Sequence, residues 1–277
     1  MQALFGITVV VTRPAHQAEN LCQLIEAAGG EALRFPVIDI KPPQDVQKCQ
    51  AQMERLEEHD LAIFISSNSV NEVLKLMNPA WQWPETVSIA AVGKSTAQAL
   101  EKNGLTVKHV APLPFNTEAL LSLPELQNSK GKRILIFRGN SGRELLFDSL
   151  QERGAEVSYI ECYRRVIPEP DTHSLYAAWQ PLLVKKSSMS MQNSMQNAKL
   201  TLPKLLPIVV TSSEGLKNLV SMVSPEYQST LLASPLIMIS ERTARLSETL
   251  GFSCSSTIAT AANDEAILDA LKAWAVS

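Results

Sequence analysis

Short β-branched runs that end in small polar residues recur along this chain, and each gives way to apolar residues at helical spacing. The runs Ile7–Val11, Leu61–Ile65, Ser88–Val92, Ile134–Phe137, Ile208–Val210 and Leu236–Ile239 read as strands. Behind the first, Leu21, Leu24, Ile25 and Ala28 mark one face of a helix that Gly29-Gly30 stops; behind Ile134–Phe137, Leu146, Leu150 and Gly154 do the same. Strand, helix, strand units build parallel sheets through right-handed crossovers, and their ligands lie beyond the carboxyl ends of the strands. The predicted class is α/β.

The pattern is written twice. Within segments 7–40 and 132–167, residues correspond at an offset of 125, matching Arg13 with Arg138, Leu21 with Leu146, Gly29 with Gly154 and Phe35 with Ile160. We call these the A units. A second pair, the B units, follows at an offset of 146 to 147, setting Ser66-Ser67-Asn68-Ser69-Val70 against Ser212-Ser213-Glu214-Gly215-Leu216 and Thr96-Ala97 against Thr243-Ala244. The correspondence runs on to Asn116-Thr117-Glu118-Ala119 and Asn263-Asp264-Glu265-Ala266. A duplicated α/β unit implies two similar lobes with a ligand cleft between them.

Two proline-marked segments, Lys41-Pro42-Pro43 and Pro168-Glu169-Pro170, close the A units and read as extended linkers. A polar stretch from Lys185 to Asn197 has no apolar face and accounts for the growth in offset; it reads as a mobile loop insertion over 183–203. With 45% hydrophobic and 19% charged residues and a net charge of −3, the 277-residue chain has the balance of a soluble protein, without the basic stripe a nucleic acid requires. No run approaches a membrane span, and the opening residues lack the cationic flank of a leader, so a cytoplasmic location is expected. Cys22, Cys49, Cys162 and Cys254 form no C-x-x-C pair and read as reduced thiols, and His16, His59, His109 and His173 lack ligand spacing. A site without metal is expected.

Candidate chemistry sits at the strand ends: Thr12-Arg13-Pro14, Ser66-Ser67-Asn68, Gly93-Lys94-Ser95-Thr96, Arg138-Gly139-Asn140, Thr211-Ser212-Ser213 and Ser240-Glu241-Arg242-Thr243. Each is expected to precede a helix, where free N–H groups, hydroxyls and an occasional cation suit an anion. The plainer reading of each hydroxyl is an N-cap. No G-x-G-x-x-G or G-x-x-x-x-G-K-[ST] is present, which argues against a dinucleotide or nucleoside triphosphate. No Ser/His/Asp or Cys/His arrangement can be assembled. A ligand with several carboxylates would suit such donors, its charge spread over many hydrogen bonds.

Taken in order, Val11-Thr12-Arg13-Pro14, Phe64-Ile65-Ser66-Ser67-Asn68-Ser69-Val70, Val92-Gly93-Lys94-Ser95-Thr96-Ala97, Arg138-Gly139 and Tyr163-Arg164-Arg165 resemble the uroporphyrinogen-III synthase family over nearly the whole chain. The resemblance implies two similar flavodoxin-like parallel-sheet domains, the first A unit pairing with the last B unit. That places 1–38 with 170–277 in one domain and 41–166 in the other, with 39–44 and 164–170 as a two-stranded hinge. It further implies cyclisation of hydroxymethylbilane, with inversion of the last ring and loss of water, without metal or organic cofactor. Tyr163 would be the proton donor to the departing hydroxyl. Substrate carboxylates would meet Arg13, Ser66, Ser67, Asn68, Lys94, Ser95, Thr96, Arg138, Gly139, Thr211, Ser212, Ser213 and Thr243.

Arg242 is a further cation in reach of such a ligand, whereas Arg164 and Arg165 read as solvated hinge charges. Glu241 departs from this picture by placing a negative charge in a loop expected to meet carboxylates. A monomer is expected, and a transient contact with the preceding pathway enzyme is compatible with the sequence. The rival reading is a two-lobed, non-catalytic binding module or sensor for a small polyanion. A nucleotide-sugar transferase is a weaker third reading, for want of an acidic metal-binding pair.

Overall fold

The computed structural model describes residues 3–78, 81–142, 144–169, 171–180, 206–254 and 256–276. In chain order, the first half holds β1 (Thr8–Val11), α1 (Ala15–Ala27), β2 (Glu31–Arg34), β3 (Asp39–Lys41), α2 (Val46–Glu54), β4 (Leu61–Phe64), α3 (Ser67–Leu76), β5 (Ser88–Ala91), α4 (Lys94–Lys102), β6 (His109–Val110), α5 (Thr117–Leu121) and α6 (Pro124–Gln127). Then come β7 (Arg133–Gly139), α7 (Leu145–Glu152) and β8 (Glu156–Val166), followed by helical residues 172–180, α8. The last part holds β9 (Ile208–Val210), α9 (Ser213–Met222), α10 (Gln228–Leu232), β10 (Leu236–Met238), α11 (Glu241–Thr249), β11 (Thr257–Ile258) and α12 (Asp264–Val276). The segment 183–203 expected as an insertion lies outside the described residues.

The chain divides into two compact units, Met1–Asp39 with Ile167–Ser277 and Ile40–Val166. Unit 1 carries a sheet in the order β11-β10-β9-β1-β2, unit 2 one in the order β3-β8-β7-β4-β5-β6. Substituting each strand by its repeat partner turns β6-β5-β4-β7-β8 into β11-β10-β9-β1-β2, so the two sheets share one order, to which unit 2 adds β3 beside β8. The first A unit pairs with the last B unit through β1 and β9, and the first B unit with the second A unit through β4 and β7, both parallel. Numbered from the A strand outward, each sheet has the 2-1-3-4-5 order of flavodoxin-like folds. Its crevice opens where the order reverses, between β1 and β9 in unit 1 and between β7 and β4 in unit 2.

Strands buried on both faces explain the unbroken apolar runs. In unit 1, Val9 and Val11 face a core with Leu21, Ile25 and Leu271, while Val10, Ile208 and Val210 face another with Trp179 and Leu216. In unit 2, Phe64 and Phe137 stack at 4.5 Å on one face, and Ile63 and Ile136 fill the other. Helices α1 and α7 end alike: Gly29 (φ 86°) and Gly154 (φ 82°) take the left-handed conformation, and the following N–H returns to Ile25 or Leu150. That is the glycine-terminated cap expected at both places.

One expectation is corrected. Arg138 and Gly139 are not in the strand-end loop; they are the last residues of β7, and the following helix α7 begins only at Leu145. Residues 164–166 of the second linker, expected as extended chain, lie at the end of the 11-residue strand β8. Lys41 of the first linker is likewise in strand β3.

Candidate functional site

At the crevice of unit 2, Ser66 caps α3 by accepting from the Ser69 N–H at 3.2 Å, and the Ser69 hydroxyl returns within the same capping box. The Ser66 Oγ also lies 3.2 Å from the hydroxyl of Tyr163. A bulge in β8 produces this meeting. Arg138 is opposite Glu161 but Gly139 is opposite Tyr163, so Cys162 is the extra residue. Cys162 and Tyr163 consequently pack into the same apolar cluster, although neighbours in a regular strand face opposite ways.

Tyr163 is 1% exposed, and its ring lies against the backbone of Gly139, where a Cβ would sit 2.7 Å from Cε2. Glycine is required there for close approach. Arg165 Nη2 donates to the Tyr163 hydroxyl at 3.5 Å, and the Arg165 backbone N–H donates to Asn140 Oδ1 at 3.0 Å. The phenol oxygen therefore stands between a serine hydroxyl and a guanidinium.

Arg138 is buried on the other side of β7. Its Nη1 donates to Glu144 at 3.0 Å, its Nε to the Gly139 carbonyl at 3.2 Å, and its guanidinium carbon lies 4.5 Å from the Tyr159 ring centre. The Tyr159 hydroxyl donates to the second Glu144 oxygen at 2.7 Å. That bond first, and Arg138 second, hold the Glu144 carboxyl below its ordinary range, while burial and then Glu144 push the Tyr159 hydroxyl up.

The remaining expected residues fall into groups. In unit 1, Ser212 caps α9 by accepting from the Gly215 N–H at 2.9 Å. Ser213 meets the Thr243 hydroxyl at 3.2 Å, and Ser240 meets it at 3.0 Å while capping α11. Thr211 is half-buried beside them. Arg13 forms an ion pair with Asp264 at the first turn of α12, and Asn20 donates to the same carboxylate at 2.7 Å. In unit 2, Ser67 and Asn68 open α3, whereas Lys94 and Ser95 are exposed in the first turn of α4 and Thr96 is buried behind them.

Arg242 is exposed, and Glu241 takes the first position of α11, where a helix N-terminus favours an anion. Sequence reasoning missed Asp264, Glu144 and Tyr159 as partners of the two arginines. The repeat was the available signal, since it aligns Arg13 with Arg138 and so asks what balances each. All four cysteines are free thiols, and no group of three or more metal-binding side chains occurs among the described residues. No described helix is long and apolar enough to cross a membrane.

Fold and crevices together define a duplicated flavodoxin-like α/β protein whose strand ends carry hydroxyls, arginines and one buried tyrosine. The family model for uroporphyrinogen-III synthase HemD matches residues 19–269, and the chain belongs to that family of porphyrin-biosynthesis enzymes. It is 34% identical to uroporphyrinogen-III synthase of Escherichia coli strain K12 over 96% of this chain and 100% of that one. It is likewise 34% identical to the Salmonella typhimurium enzyme, with the same coverage. A mutant uroporphyrinogen III synthase from the extremely thermophilic bacterium Thermus thermophilus shares the fold with a TM-score of 0.62 at 18% identity, over 98% of this chain and 99% of that one.

Proposed function

We propose that this chain closes hydroxymethylbilane to uroporphyrinogen III, and that Tyr163 is the proton donor. The reading is supported by family membership and carried by one observation: a buried phenol at a carboxyl-edge crevice, with Ser66 and Arg165 at its oxygen. Departure of the terminal hydroxyl breaks a C–O bond while the pyrrole nitrogen feeds electrons into the ring. A donor that delivers a proton to that oxygen lets it leave as water. The resulting azafulvene is attacked by the substituted carbon of the last ring. Rearrangement through a spiro intermediate then leaves that ring inverted.

Spontaneous closure gives the uninverted isomer, so the greater task is orientation, which can supply a large share of the barrier reduction. We assign the holding of substrate carboxylates to Ser66, Ser67, Asn68, Lys94, Ser95, Thr96, Arg138 and Gly139 in unit 2 and to Thr211, Ser212, Ser213 and Thr243 in unit 1, where Arg13 pairs with Asp264 instead. Hydroxyl and N–H donors there spread the negative charge without matching it ion for ion. The test is an assay with freshly generated hydroxymethylbilane, resolving the isomers after oxidation. Type III product above the spontaneous background supports the reading, and type I alone overturns it.

A further inference from the structure

Unit 2 contains a pocket of about 200 Å³ at the carboxyl edge of its sheet, lined by Arg138, Tyr159, Asn116, Thr117, Val92 and Leu146 among others. The Arg138 side chain in its wall is 6% exposed, whereas the Glu144 carboxylate that balances it is 55% exposed. One Glu144 oxygen accepts from the guanidinium and the other from the Tyr159 hydroxyl. A guanidinium beside a phenol is a donor set that would serve an incoming carboxylate equally well.

The repeat shows what a closed version of this place looks like. Arg13, the counterpart of Arg138, is paired with Asp264, and both side chains are largely buried, at 17% and 15% exposure. At the offset of 147, the position of Asp264 in unit 2 is Thr117, a neutral side chain in the pocket wall. Asn116 and Asn263, the residues before them, cap their helices alike, each accepting an N–H at 2.8 Å. The local backbone role is therefore kept and only the charge differs.

We propose that Glu144 is a resident carboxylate that competes with one carboxylate of the substrate for Arg138 and Tyr159, making this pocket a carboxylate subsite whose affinity Glu144 sets. Two carboxylates on one buried guanidinium repel each other, so the incoming one displaces the resident. Glu144 can leave cheaply: its side chain is more than half in solvent and makes no cap bond at the start of α7. The inference rests on the activity proposed above and adds a specificity-determining residue to it.

The experiment compares Glu144→Gln and Thr117→Asp with the unaltered chain, using hydroxymethylbilane turnover, equilibrium binding of uroporphyrin III and thermal unfolding. Glu144→Gln should lower KM and the porphyrin Kd by roughly two- to fivefold, the scale of one partly exposed ion pair. Thr117→Asp should raise both by about tenfold, by setting a half-buried carboxylate beside Arg138 as Asp264 stands beside Arg13. A merely structural Glu144 would lower Tm without tightening binding, and unchanged or weakened binding in Glu144→Gln overturns the inference. Porphyrin binding reads the subsite even when only type I isomer forms, so failure of the activity and failure of the subsite are told apart.

Discussion

The two crevices come from one ancestral pattern, yet only one of them is built around a phenol. Ser66 and Ser212 are repeat partners and both cap the helix that follows. Opposite Ser66 stands Tyr163; at the corresponding place in unit 1 the chain has Ile38, close enough to Gly215 that a Cβ there would lie 3.9 Å from its Cδ1. Gly139, which the Tyr163 ring lies against, corresponds to Pro14. Unit 1 spends the same positions on packing and on the buried Arg13–Asp264 pair, while unit 2 keeps a tyrosine and a pocket. Duplication supplied two frames, and they differ at a few strand-end residues, one ending in packing and an ion pair, the other in a buried phenol.

The largest expected effect removes that difference. Tyr163→Phe keeps the ring but not the proton, and should slow type III formation about 10²- to 10⁴-fold with little change in uroporphyrin III affinity. Single-turnover assays decide it, and a variant of full activity would leave unit 2 no more reactive than unit 1. Gly139→Ala should act on the same group indirectly. Its Cβ would lie 2.7 Å from the Tyr163 ring and push it aside, with a loss of about 10²-fold for a displacement near 1 Å.

The contrast between the arginines predicts stability. Asp264→Ala leaves the poorly solvated Arg13 without its carboxylate and should cost about 1–3 kcal/mol in urea unfolding. Glu144→Gln strips only the charge from a side chain that is 55% exposed and leaves an amide oxygen for the Arg138 guanidinium, for less than about 1 kcal/mol. Equal costs would mean that the two pairs are alike and that Glu144 is no more displaceable than Asp264.

Alkaline pH probes the packing of unit 2, which encloses Cys49 and Cys162 in one apolar cluster. Burial pushes the Cys49 thiol up to about 11, and burial also pushes Cys162 up. A folded-state pKa above the unfolded one gives stability that is whole below the unfolded value and lost as pH rises through the folded value. For Cys49 that window runs from about 9 to about 11, and the amount at stake is of order 2 kcal/mol. Cys49→Ala should therefore flatten the fall in urea-unfolding stability between pH 8 and pH 10, set by roughly one unit of partial titration. An unchanged slope would assign the alkaline loss elsewhere.

How much of this was legible follows from the same contrasts. Strands β1, β4, β5, β7, β9 and β10 are buried on both faces and so announce themselves as apolar runs. The strands β2, β6 and β11 are short and half-buried, and β8 mixes Ser158, Glu161 and Arg164 among its apolar residues, so none shows a clean period. Caps are local and were readable as Ser or Asn three residues before the N–H they serve. The bulge at Cys162 leaves no mark in residue type. Nor could the partner of Arg13 be read locally, since Asp264 lies 251 positions away and only the fold brings them together.

The finest comparison sets the two capping serines against each other. Ser66→Ala and Ser212→Ala each remove an acceptor for one N–H at a helix start, 3.2 Å away in one case and 2.9 Å in the other. Each should cost about 1 kcal/mol of stability. Only Ser66 also touches the Tyr163 hydroxyl, so only its loss should slow closure beyond what reduced stability explains, by a few-fold, the worth of roughly one neutral hydrogen bond. Matched unfolding curves with unmatched rates would show that the capping role is shared by the repeat and the catalytic one is not. If both variants slowed equally, the Ser66–Tyr163 contact would be incidental to the reaction and the phenol would be positioned by Gly139 and Arg165 instead.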